Sequence, residues 1–380
     1  MIKQYLLAPG PTPIPNEVER AMAETMIHHR TPRFSKIFAE AREGLKPLFG
    51  TKNDVLILAS SGTGAMEAAV ANLFSPGEKV LIVNGGKFGE RWLQISQAFG
   101  LEPVEIKVEW GKAVKVEEIQ RKLKLLPDIK GVFVQASETS TTVLHPVKEI
   151  AKATKNGPLL IVDGVTAVGV LPLSMDESGI DVLVTGSQKA LMLPPGLGFI
   201  ALSQRAWERT EKAKLPRFYF DLKLERKNQQ KGSSAFTPAV SLIFGLHAAL
   251  KMIREEGLDR VYARHARLAR ATRAAATALG LKLLAPESPS LAATGIYLPE
   301  GIDGEKLLDY LRDKMGVTLA EGQDQLRGKA IRIAHVGHMG AFDAVVAIAA
   351  LEMALRKFGF PVKFGQGVAA AQEILMEALD

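Results

Sequence analysis

No cysteine occurs among the 380 residues, which excludes disulfides, cysteine nucleophiles, cysteine-ligated zinc and cysteine-held iron–sulfur clusters. Long apolar runs are missing too. None approaches the roughly 20 residues of a membrane helix, and the first ten residues have too short an apolar core for a signal peptide. The expectation is a cytoplasmic protein with no membrane partner. Blocks of one charge are absent: 48 Lys and Arg against 41 Asp and Glu leave +7, spread along stretches such as 260–273. That argues against nucleic acid and suits anionic small molecules. There is no HExxH among the seven histidines, and neither GxxxxGK[ST] nor GxGxxG occurs at a strand-to-helix turn. No metal site is assigned.

What is present is a globular composition, 47% apolar and 23% charged, on a chain long enough for one large and one small domain. Residues 6–15 hold four prolines and a glycine, so they form an extended, turning arm. Asn16 is placed as the N-cap of a helix to about residue 27, and Thr31-Pro32 starts another to about residue 48. Apolar β-type runs at 55–59, 79–83, 131–135, 159–162 and 181–184 alternate with helical stretches at 65–74, 88–99, 116–126 and 147–155. This pattern predicts an α/β fold with a mostly parallel sheet covered by helices. A further run at 197–202 follows after too short a turn for a parallel crossover, so it is predicted antiparallel. Residues 215–237 read as a long functional loop, and helices are predicted at 238–256 and 259–279. Strands at 281–284, 294–298 and 330–334, with helices at 304–314, 342–358 and 364–379, make a small α+β domain. The division is an arm at 1–15, a large domain at 16–258 and a small one at 259–380.

Three features sit at strand ends. Lys189 lies in the turn 185–199, at the C-terminal edge of a buried run, where open α/β sheets bind ligands. A desolvated lysine there can act as a Schiff-base nucleophile; a single loop lysine is far more often just a solvated charge, so the case rests on what else converges on it. Ser60-Ser61-Gly62-Thr63-Gly64-Ala65 joins a strand to a helix, either as an ordinary turn or as an anion site built from backbone amides. Asp163 ends Leu159-Leu160-Ile161-Val162-Asp163, as a cap or as a partner for a cationic ring nitrogen. Together they describe a cofactor with a phosphate, a pyridinium nitrogen and an aldehyde, which is pyridoxal 5′-phosphate (PLP).

The stretches LLAPGPTPIP, SSGTGAMEAA, NGGKFGER, VDGVTAVG, TGSQKALMLPPGLGF and IRIAHVG carry a resemblance that spans nearly the whole chain. It is to the class V, fold type I PLP-dependent aminotransferases, in the alanine–glyoxylate, serine–pyruvate and serine–glyoxylate group. The resemblance implies that Lys189 forms the Schiff base and that Asp163 pairs with the pyridine nitrogen. Thr63, Gly64 and the Ala65 amide would hold the phosphate, with Gln188 beside the lysine. Phe88, where the family often has tryptophan, would stack on one ring face and Val165 on the other. Thr139 would place a hydroxyl near the cofactor. Arg332 and Gly10 would bind the substrate carboxylate. Thr237 is a candidate for reaching the phosphate of a neighbouring subunit in a homodimer with shared active sites.

The implied activity is transfer of an amino group from a small amino acid, alanine or serine, to a 2-oxo acid, glyoxylate or pyruvate. Other fold type I chemistry, as a lyase or epimerase, is an alternative. So is a non-catalytic soluble-hydrogenase subunit, a label some members of the group carry. Ala8, His28, Arg30 and Phe34 are candidates for side-chain selectivity.

Overall fold

Seven strands, β1 (Val55–Leu58), β2 (Lys79–Asn84), β3 (Glu102–Lys107), β4 (Gly131–Gln135), β5 (Leu159–Asp163), β6 (Val182–Gly186) and β7 (Gly198–Leu202), form the main sheet of the computed structural model, which describes residues 2–377. Their order is β1-β7-β6-β5-β4-β2-β3. The strands run parallel except β7, which is antiparallel to both neighbours. The turn carrying Lys189 therefore reverses the chain, as its length predicts.

Alternate residues of each strand enter different cores. From β5, Leu160 and Val162 pack on the side of helix α2 (Pro32–Phe49), while Leu159 and Ile161 pack on the side of α3 (Gly62–Leu73) and α4 (Lys87–Ala98). Each such side chain, buried on both faces of the sheet, contributes roughly 1.5–3 kcal/mol, which is why these strands read as unbroken apolar runs. The Thr31 hydroxyl accepts from Phe34 N and starts α2; Gly50, at φ +57°, ends it.

A second, antiparallel sheet is built from β8 (Ala293–Tyr297), β9 (Ala320–Glu321) and β10 (Ala330–Ala334), with β10 in the middle. Its core gathers residues of Leu258–Ala278, Gly304–Met315, Ala341–Lys357 and Gln366–Met376. Leu258–Ala278 also sends Val261 into the core of the main sheet, so one helix serves both. The arm pairs Tyr5–Leu6 in parallel with Val317–Thr318, and Leu7 O accepts from Ala334 N. It thereby runs from the small sheet to the Lys189 turn. Among the described residues no helix is long and apolar enough to cross a membrane.

Several expectations need correcting. The first helix, α1, is Asn16–Met22, with Pro15 as its N-cap; it stops early because the next residues bury little, Met26 being 62% exposed. β3 was not expected: Pro103 and three charged residues hide a half-exposed edge strand, where proline is tolerated. Residues 281–284 form no strand but one bridge, Leu283 to Ile296, shortly before Pro286. The loop 215–237 contains a helix, Leu222–Gln229, capped by Asp221 and anchored by Gln229 to the backbone of Ile57. The closing helix is Gln366–Met376; Leu379 lies outside the described residues.

Candidate active site

Lys189 follows β6 and is 8% exposed. Its Nζ donates to Pro9 O, and its own carbonyl accepts from the Thr12 hydroxyl at 3.1 Å, so the arm encloses the amine. Gly10 adopts φ +141°, and a Cβ there would lie 2.6 Å from Lys189 Cε. Only glycine lets the arm come so close. Burial pulls the Lys189 pKa down to about 8, helped by the charges of Arg332 and Arg91 and opposed by Asp163.

Asp163 ends β5, beside β6, and is 4% exposed. One oxygen accepts from Val165 N at 2.8 Å; the other has no partner among the described residues. Burial raises its pKa to about 6, against the Val165 bond and the charges of Arg91 and Lys189. The anion turn closes on the same point. A Cβ at Gly62 would lie 2.8 Å from Val165 Cγ2, and one at Gly186 would lie 3.1 Å from Gly62 N. No side chain caps α3, and the Gly62, Thr63 and Gly64 amides have no acceptor among the described residues. Ala65 N already donates to Ser61 O at 3.3 Å, which leaves the preceding amides for an anion. Gln188 Oε1 is buried beside this turn without a partner among the described residues, 2.9 Å from where a Gly186 Cβ would stand.

Arg332 sits in β10 and is 6% exposed rather than turned to solvent, because the Thr139 loop of the main sheet packs over it. Its Nε and Nη2 donate to Glu321 O at 3.1 and 2.8 Å, and Nη1 donates to Thr139 O at 2.9 Å. A guanidinium has five N–H groups, so one remains on each terminal nitrogen, a pair spaced to grip a carboxylate. The Thr139 hydroxyl pairs with that of Thr166 at 2.8 Å.

Two charged residues were missed by sequence reasoning. Arg91 donates to the Thr63 hydroxyl at 3.2 Å and lies over the Phe88 ring, 4.8 Å from its centroid, so Phe88, the anion turn and Asp163 share one neighbourhood. Glu138 is fully buried; one oxygen accepts from Phe88 N and Gly89 N at 3.1 and 3.0 Å, the other from Ser140 N at 3.2 Å and from the Ser140 hydroxyl. Burial lifts its pKa to about 7. The only hint in the sequence was Gly86, which gives α4 no side-chain cap of its own.

Thr237 is not brought into this cluster. It is exposed and lines a small pocket with Ala59, Phe220 and Phe236. Phe34 is fully buried in the core beside Phe38 and cannot select a substrate; His28 and Arg30 are exposed, and Ala8 is half-buried in the arm.

Residues 4–336 match the model of the aminotransferase class-V family. This chain belongs to that family. It is 42% identical to a protein named soluble hydrogenase, small subunit, from Synechococcus sp., over 99% of both chains. It is 39% identical to the serine–glyoxylate aminotransferase of Methylorubrum extorquens, over 99% of this chain and 96% of the relative. The crystal structure of pyridoxamine–pyruvate aminotransferase from Mesorhizobium loti superposes with a TM-score of 0.93 at 29% identity, covering 99% of this chain and 98% of that one. The fold is PLP fold type I, and the class-V family implies a PLP-dependent transaminase acting on amino and 2-oxo acids. The residues present fit that cofactor: a buried amine, free amides at a helix start and, among the described residues, an unpartnered carboxylate oxygen on Asp163.

Proposed function

We propose that the protein transfers an amino group from alanine or serine to glyoxylate or pyruvate, with Lys189 as the nucleophile and proton carrier. The observation that carries this reading is a desolvated lysine between a buried carboxylate and an arginine with a free N–H on each terminal nitrogen. PLP, when bound, supplies a cationic ring that accepts the electrons of the substrate Cα–H bond. Lys189 Nζ would hold the cofactor at its aldehyde carbon and, as a neutral amine, would be the base placed to move the proton at the substrate Cα. Asp163 would hold a proton on the ring nitrogen. Thr63, Gly64 and Gln188 would hold the phosphate, Phe88 and Val165 the two ring faces. Arg332 would fix the substrate carboxylate and so aim Cα at Lys189. Gly10 and Thr139 line the same space.

A homodimer is part of the proposal. Phe218, 79% exposed, and Tyr219, 46% exposed, pack with Phe236 into an apolar patch next to Thr237, suited to a second copy. The large unit would be 16–258 and the small one 259–380.

The activity is tested by mixing PLP-loaded protein with single amino acids and following the visible band of lysine-bound PLP. Alanine and serine are expected to bleach it and aspartate to act more slowly; a band that neither alanine nor serine changes would overturn the donor assignment. A second expectation concerns pH. At pH 7 an amine of pKa about 8 is about one tenth neutral, against roughly one part in three thousand for an ordinary lysine. Capture of PLP by the empty protein, measured by rapid mixing, should rise about tenfold per unit below pH 8 and level off above it. A rate still climbing at pH 10 would mean that Lys189 is not desolvated.

A further inference from the structure

Glu138 takes no part in the chemistry outlined above, yet it is a fully buried acid with four hydrogen-bond donors converging on it. We propose that Glu138 is the positioning residue of the substrate-carboxylate site: by pinning the backbone on both sides of Thr139, it aims the carbonyl that orients Arg332. The inference rests on the role given to Arg332 above.

The geometry runs through three short links. Glu138 is anchored by the first turn of α4, where Phe88 N and Gly89 N meet one carboxylate oxygen. The other oxygen holds Ser140 through its amide and its hydroxyl, and that hydroxyl accepts from Lys87 N at 3.0 Å. Thr139, between the two, is then fixed, and its carbonyl receives Arg332 Nη1. Gly86 makes room for the arrangement, since a Cβ there would lie 2.6 Å from Glu138 Cδ. The link is electrostatic as well as steric. Burial draws the Arg332 pKa down to about 10, and the charge of an ionised Glu138 acts in the opposite direction, attracting the guanidinium. Because the same carboxylate caps α4 at Phe88, the residue beside the ring and the grip on the substrate share one anchor.

Glu138→Gln keeps one acceptor and turns a donor towards amides that need an acceptor, so the clamp opens on one side. The comparison is between L-serine and L-serinamide in single-turnover reactions of the PLP-loaded protein. Alongside it, calorimetry gives the affinity of the PLP-free protein for 3-hydroxypropionate, the serine skeleton without its amine. The variant is expected to lose about tenfold of the preference for serine over serinamide and about tenfold in 3-hydroxypropionate affinity, the scale of one charge-assisted hydrogen bond. An equal loss on both donors with unchanged 3-hydroxypropionate binding would reduce Glu138 to a structural group and overturn the proposal. Should Glu138→Gln fail to fold, Ser140→Ala removes one donor from the clamp and should shift the same ratio about threefold in the same direction; an unmoved ratio again overturns it. A wild-type protein that converts no donor would count against the aminotransferase reading alone, since the PLP-free calorimetry still tests Glu138.

Discussion

Lys189→Ala is expected to abolish the visible band of the PLP-loaded protein and to slow the half-reaction with serine or alanine by at least about 10⁴-fold, since it removes both the nucleophile and the general base. No neighbour can replace it. Arg332 and Arg91, the cations whose charges act on it, are guanidiniums that do not give up a proton near neutral pH. The same site predicts a gain elsewhere. The unfolded chain holds the lysine proton up to about pH 10.4, whereas the folded chain releases it near 8. Holding the amine protonated in its buried place therefore costs stability below pH 8, a cost that fades as pH rises to the unfolded value. Its upper limit is about 3 kcal/mol, less the hydrogen bond to Pro9 O. Lys189→Met should thus stabilise the PLP-free protein at pH 7 and flatten its stability between pH 8 and 10, read by urea titration. A visible band surviving in Lys189→Ala would remove the central assignment.

The main sheet was legible because strands buried on both faces must be apolar throughout: 131–135 has the predicted ends, and the brevity of the Lys189 turn alone gave the direction of β7. Lys189, Asp163 and the anion turn could be placed together because each follows a strand of one sheet at the same edge. Arg332 was harder. Its alternation with Ile331 and Ile333 suggests an outward residue, and its burial depends on packing between two sheets that no local pattern encodes. Glu138 and Arg91 were invisible for the same reason. An acid three residues after a strand looks like a loop charge until the uncapped start of α4 is seen to lie against it. β3 was lost because an edge strand needs no apolar alternation, and the helix Leu222–Gln229 because its anchor, Gln229, is a polar side chain bonded to a distant backbone.

Asp163→Asn is the second large effect expected. The amide oxygen can still accept from Val165 N, so the β5 end should keep its shape, and the change removes charge without removing volume. What is lost is the means of holding a proton on the ring nitrogen, so kcat should fall by about 10²–10⁴-fold, the usual scale for a proton held in the wrong place. KM for the amino acid should move much less, because the Arg332 grip is made by Thr139 and Glu321 and not by Asp163. The pH dependence of PLP binding separates this role from mere packing. In the empty site burial keeps the carboxyl protonated up to about pH 6. A cationic ring nitrogen binds the ionised form, so PLP affinity of the wild type should weaken as pH falls through 6, with linkage of one proton. The asparagine has no proton to lose there, so its affinity should fall by one proton less over that range. Equilibrium titration of PLP between pH 5 and 8 measures both curves; two parallel curves, or a kcat within a few-fold of wild type, would take the ring nitrogen away from Asp163.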